Sequence, residues 1–231
     1  MTRTATFARE QLRAPFTLVL LVAVPAIFVA ASASVLSDFA DALGGSLAGN
    51  AASALGAGWA AAFIAGTLGF FQAASSRGAD RRLALAGTRP FRVALSRIGA
   101  SLALALVAAG AGFVGLLIRT GVAHPWHAAA AVLAFAVIYL AVGIIIGSLI
   151  TAPLEGSLAV AFVFLLDVFS GPGMAEQAAP YSLSRKAADI LIDAGLGQSS
   201  SAEEWLKLAA VVASALALSL VVFIWTARSR T

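Results

Sequence analysis

Charged and uncharged positions alternate along the chain in long blocks. The uncharged apolar runs are 15–36, 51–76, 98–118, 128–154, 156–166 and 208–227, and five of the six hold 20 or more residues. Backbone N–H and C=O groups in hydrocarbon have only each other to bond, so runs of this length are predicted to be membrane-crossing helices. The expected fold is an all-α integral membrane protein with spans at about 15–36, 51–75, 93–118, 127–151, 154–170 and 205–227. The fifth is the short one. Even over 154–170 it yields about 25 Å of helix, against a hydrocarbon core of about 30 Å. Counting it gives six spans, and leaving it out gives five. The apolar stretch from Phe162 to Leu166 is too costly to leave in water, which favours six. Beyond it, Gly171, Pro172 and Gly173 break the helix, and the partly apolar stretch 187–196 is expected to re-enter the membrane surface as short helices.

Lys and Arg orient the spans, because basic loops are retained in the cytoplasm. With six spans and the N-terminus inside, Arg3, Arg9, Arg13, Arg77, Arg81, Arg82, Arg89, Arg92, Arg97, Arg228 and Arg230 are cytoplasmic. Only Arg119, Arg185, Lys186 and Lys207 lie outside. Among the acids, Glu10, Asp80 and Glu155 fall inside and the others fall outside or at the outer boundary. Both termini are therefore expected in the cytoplasm of a multi-pass plasma-membrane protein. Trp126 and Trp205 open the fourth and sixth spans and Trp225 closes the sixth, where indole rings suit the headgroup layer. Arg3, Arg9 and Arg13 before an apolar run ending in Ala31-Ser32-Ala33 also imitate a secretory signal, but a run of 22 residues favours a retained span.

Composition narrows the functional classes. Of 231 residues, 61% are hydrophobic and 11% charged. Six spans of about 20 residues leave too little chain for an added catalytic domain of ordinary size, so any motor is expected in another polypeptide. There is no cysteine, which removes disulfides, thiolate nucleophiles and Cys-based metal sites. The net charge of +4 comes from arginines at the ends of apolar runs without interleaved stacking aromatics, so membrane topology explains it and nucleic acid does not. No G-x-x-x-x-G-K-[ST] phosphate loop occurs, since the two lysines, Lys186 and Lys207, follow Arg185 and Leu206.

Few side chains are candidates for chemistry. Gln72, Glu155 and Asp167 fall near span ends, within expected reach of water. A bilayer centre free of charge argues against an ion-coupled carrier and for an apolar or amphipathic cargo. Phe28, Phe63, Phe70, Phe71, Phe162, Phe164 and Phe169 are candidates to line its path, although phenylalanine facing lipid is commoner. His124 and His127 flank Pro125-Trp126 without a nearby carboxylate and fall short of a metal site. An intramembrane hydrolase built on Ser148 fails on distance, because about 30 Å of helix separates Ser148 from His127. Gly143 and Gly147, four apart, together with Gly66, Gly69, Gly112 and Gly115, offer the small surfaces that let helices approach closely in lipid, within the chain or between copies. Ser199-Ser200-Ser201 before Glu203 and Glu204 is a helix-start signal that sets the last span beginning near Ala202.

The longest cytoplasmic feature joins the second and third spans, from Ser76 through Arg77, Asp80, Arg81, Arg82, Leu83, Leu85, Ala86, Gly87, Thr88, Arg89 and Pro90 to Arg92. Leu83, Leu85 and Ala86 suit a short helix along the membrane, Gly87 suits its end, and Thr88 with Pro90 suits the start of the next. On charge alone the segment reads as a basic loop gripping lipid headgroups. Mechanically, a rigid surface helix joined by a tight turn to a span can pass force from a soluble motor.

A short segment, 2–13, then two spans, an Arg-rich helix ending in Ala86-Gly87-Thr88-Arg89-Pro90, three more spans, a Gly/Pro-broken outer region and a last span with a basic tail together resemble the permease subunit of an ABC-2-type ATP-binding cassette exporter. The resemblance covers the whole chain as an arrangement, with a degenerate local motif. It implies an interfacial N-terminal helix and a coupling helix over Arg77 to Arg92 that docks on the ATPase. It also implies short re-entrant outer helices between spans five and six, and a second permease copy as homodimer or related heterodimer. ATP and Mg²⁺ would be bound by the partner ATPase, with no cofactor, metal or catalytic residue in this chain. Many relatives carry a Glu just before the coupling helix; here Ala73, Ala74, Ser75 and Ser76 stand there, and Asp80 is the only acid. The rival expectations are a non-transporting scaffold and the transmembrane component of an energy-coupling-factor importer, whose coupling helices also carry an Arg-Gly pair like Arg77-Gly78 but typically occur twice.

Overall fold

A computed structural model describes residues 34–47, 49–75, 90–150, 152–174 and 182–228, apart from the side chains of 90–94 and 227–228. The described chain is helical, with no strand. The elements are α1 (34–42), α2 (Gly49–Ser75), α3 (Pro90–Thr120), α4 (Pro125–Leu149), α5 (Pro153–Phe169), α6 (Arg185–Leu196) and α7 (Ala202–Arg228). Four of them, α2, α3, α4 and α7, are long and apolar enough to cross a membrane. The expected first span, the interfacial segment and the coupling stretch up to Arg89 lie outside the described residues. Arg92 lies in the first turn of α3, with its side chain outside them.

Local chemistry sets the boundaries. Proline occupies the first helical turns of α4 and α5, where its missing N–H has no partner to lose. Gly197 ends α6 at φ 77°, a left-handed conformation open to glycine at little cost, and the Gln198 N–H closes the turn on the Asp193 carbonyl at 2.8 Å. At the start of α7 the Ser201 N–H donates to Glu204 Oε2 (2.7 Å) and the Glu204 N–H donates to Ser201 Oγ (3.3 Å). This reciprocal capping box satisfies two otherwise orphaned donors.

The core is the α2–α4 pair. Trp59, Phe70, Phe135, Tyr139 and Leu140 are fully buried between and beside these helices. Their axes come close because glycines line the contact. A Cβ on Gly143 would overlap the Gly66 carbonyl, one on Gly147 would sit 2.5 Å from the Phe70 carbonyl, and one on Gly69 would sit 2.5 Å from the Leu140 carbonyl. In lipid there is no hydrophobic drive between apolar helices, so this close backbone approach is what holds them. Around the pair, α3 covers one flank of both helices, α7 leans mainly on α4, α5 lies along α2, and α6 lies against both α4 and α2. The outward faces of α3, α5 and α7 are apolar, as Ile118, Phe162, Leu206 and Val221 illustrate.

Candidate functional site

The α5 helix runs antiparallel to α2, and its contacts fix its depth. Gly156 abuts the Phe70 ring, Val160 faces Gly66, the Phe164 ring lies 5.1 Å from Phe63, and Gly171 meets the Trp59 indole. Trp59 is ten residues into α2, so α5 stops about 15 Å short of the level where α2 begins. The vacant length of α2 is filled by α6: Leu191 reaches Gly58, Gly195 faces Ala54, and Gly197 reaches Ala123 at the foot of α4. Two short helices thus cover α2 as one long helix would. Between them the chain touches the α1–α2 junction, where Gly173 lies against Ser46 and Leu47. By Ser182 and Ser184 it has turned back to the level of Asp167.

At this break sits Asp167, only 3% exposed. Its Oδ1 accepts from Ser182 Oγ (2.8 Å) and from the Ser184 N–H (3.2 Å), and its Oδ2 accepts from Tyr139 Oη (2.8 Å) and Ser184 Oγ (2.5 Å). A carboxylate offers about four acceptor positions, and four donors meet them here. Ser184 is the residue that precedes α6, so the positive end of that helix also faces the carboxylate. Tyr139 lies about 21 Å along α4 from Pro125 and about 15 Å from Leu149. The apolar pattern sets Asp167 at a span end, in reach of water; in the fold it is sealed halfway along α4. The pattern misses this because three of the four donors come from residues beyond the break. A signal was present in Tyr139, the only polar side chain across 128–147, whose hydroxyl needs an acceptor in an apolar surrounding.

A second buried polar group ties the last turn of α2 to α3. Gln72 Nε2 donates to the Arg97 carbonyl (3.3 Å), and Ser101 Oγ donates to Gln72 Oε1. Gln72, Arg97 and Ser101 are all buried, and with Ile144 and Phe223 they line a small cavity where α2, α3, α4 and α7 converge. The stretch 76–89, which holds Arg77, Asp80, Arg81, Arg82, Leu83, Leu85 and Arg89, connects the two helices clamped here. That stretch lies outside the described residues.

The remaining candidates sort by position. Glu155 lies in the exposed first turn of α5. The His124 and His127 rings stack at 5.4 Å, and His127 also packs on Trp205 at 5.3 Å, joining the starts of α4 and α7. Among the described residues no three His, Cys, Asp or Glu side chains converge on a metal position. Ser148 Oγ is buried near the far end of α4, with no hydrogen-bond partner among the described residues, about 30 Å from His127. Gly112 abuts the Ala57 carbonyl between α2 and α3. Comparison with protein-family models and with curated proteins finds no match to this chain.

Proposed function

We propose that this chain is the membrane-embedded permease subunit of an ATP-driven exporter of the ABC-2 type, working as one of two permease copies beside a separate ATPase. Four apolar helices support a membrane location, and the sequence arrangement supports the family. On this reading six spans cross the plasma membrane with both termini in the cytoplasm, and the first span and α5 complete the count. The cargo is hydrophobic or amphiphilic, in keeping with the apolar character of the four long helices.

The observation that carries the reading is the Gln72–Ser101–Arg97 clamp. It fastens the last turn of α2 to α3 two to three turns inside the start of α3, just beyond the points where the arginine-rich stretch joins the two helices. A push on Arg77 to Arg92 would therefore enter α2 and α3 as a unit and pass through the glycine contacts into α4. Without such a tie, the two ends would splay and absorb the displacement locally. Purification from native membranes in mild detergent should bring down a phosphate-loop ATPase whose hydrolysis rate changes on association. Reversing Arg81 and Arg82 to glutamate should remove that association. A chain that emerges alone, or a double reversal that leaves binding and stimulation intact, would overturn the proposal.

A further inference from the structure

The geometry points to α6 as a releasable half-helix, with Asp167 as the latch that holds it in the bundle. The inference goes beyond the permease reading; it rests on that reading only for what would pass once α6 is released.

Four features of the break carry it. First, the latch is collective. One carboxylate holds Tyr139 of α4 and both Ser182 and Ser184 of the α6 approach, so displacing α6 removes three of the four donors together. Coupled hydrogen bonds of this kind are kept or lost as a set, which favours two discrete arrangements over gradual loosening. Secondly, the surface beneath α6 is shallow. Three of the five buried side chains of α6 are alanines, Ala187, Ala188 and Ala194, so that only Ile190 and Leu191 interlock with α2 and α4 and must leave their seats on release. Thirdly, Gly197 at φ 77° closes the outer end of α6 and forms a joint at which the backbone can turn without a side-chain clash.

The fourth feature is independent of the carboxylate. Trp59, fully buried beside Gly171 at the end of α5, has an indole N–H with no acceptor among the described residues. A buried indole N–H without a protein acceptor is uncommon. Among the described residues, the latched arrangement thus gives Asp167 four donors and the Trp59 indole no acceptor. A shift at the break that brought carbonyl groups or water to the indole would offset part of the loss at Asp167. Release would open the half of the bundle between the level of Tyr139 and the start of α4, a continuous route from the centre to one face.

The chain contains no cysteine, so one introduced thiol reports alone. Ala188→Cys places it on the fully buried face of α6, and Ala61→Cys places a reference thiol in the fully buried α2–α3 contact. Each is reconstituted in lipid nanodiscs and exposed to a membrane-impermeant maleimide. The thiol at 188 should react slowly with the latch intact. Asp167→Asn should speed its reaction by about tenfold or more, and Ser184→Ala by less, because the open population rises as donors or charge are withdrawn. The thiol at 61 should stay slow throughout. Where Asp167→Asn does not yield folded protein, Ser184→Ala and Tyr139→Phe decide by the same rates. Unchanged labelling at 188 in these variants would overturn the latch, and so would a parallel rise at 61, which would make Asp167 a general support of the fold. No partner ATPase enters the measurement, so its failure is separable from failure of the transport proposal.

Discussion

Replacing Gly143 by alanine tests whether backbone contact between α2 and α4 is what holds the bundle. The added Cβ would overlap the Gly66 carbonyl and lie 2.9 Å from the Phe70 nitrogen, where ordinary contact begins near 3.4 Å. Backbone atoms on one helix cannot step aside as a flexible side chain would, so the axes must part by roughly 1 Å, enough to forfeit a quarter to a half of each dispersion contact along the seam. Overpacking of this kind destabilises by about 1–3 kcal/mol, and the better helix propensity of alanine returns up to about 1 kcal/mol, leaving a net loss of about 1–2 kcal/mol. Gly110→Ala on α3 is the matched control, since nothing lies within 4 Å of its added Cβ. It should be neutral or stabilising by up to about 1 kcal/mol. Unfolding in mixed micelles of increasing sodium dodecyl sulfate, followed by circular dichroism, measures both. Equal midpoints for the two variants would refute the reasoning.

Ser101→Ala removes the hydroxyl donor from Gln72 Oε1 and should cost about 1–2 kcal/mol in the same titration, with Ser101→Thr retaining most of the stability because it keeps the hydroxyl. Asp193, near the end of α6, has its carboxyl pushed above the usual range, first by burial and then by the Glu204 charge. A raised folded-state value means that its charge opposes folding at pH above that value, and that the opposition fades as pH falls through it. Stability should therefore rise on mild acidification, and Asp193→Asn should blunt that rise; an identical pH profile for the variant would contradict the assignment.

The long apolar runs already contained the four long helices, because length and absence of charge suffice to identify a segment that must satisfy its own backbone. Short signals were legible too: Ser201 with Glu204 marks the start of α7, and the Gly143–Gly147 spacing lies on the face that meets α2. Asp167 was not legible. A hydropathy profile registers a carboxylate only as the end of an apolar run, whereas its placement depends on where α5 stops against Trp59 and on the return of the chain at Ser182. Those are tertiary facts, set by side chains 15 to 28 positions away. Gln72 stands near the end of its helix as the sequence implies, but its clamp was not legible for a similar reason: its partners, Arg97 and Ser101, lie 25 and 29 positions further on.

Among the described residues the seventh helix packs mainly on α4, and its length makes that matter. Its apolar portion, Ala202–Thr226, measures about 37 Å, whereas the oily slab it would cross is near 30 Å. The surplus is most readily accommodated by leaning, about a contact made, among the described residues, chiefly with α4. Lipid acyl length thereby becomes a mechanical input to this protein: a thicker bilayer would stand α7 upright and a thinner one would lay it over. The Phe223 ring that closes the cavity beside Arg97 would ride on that angle.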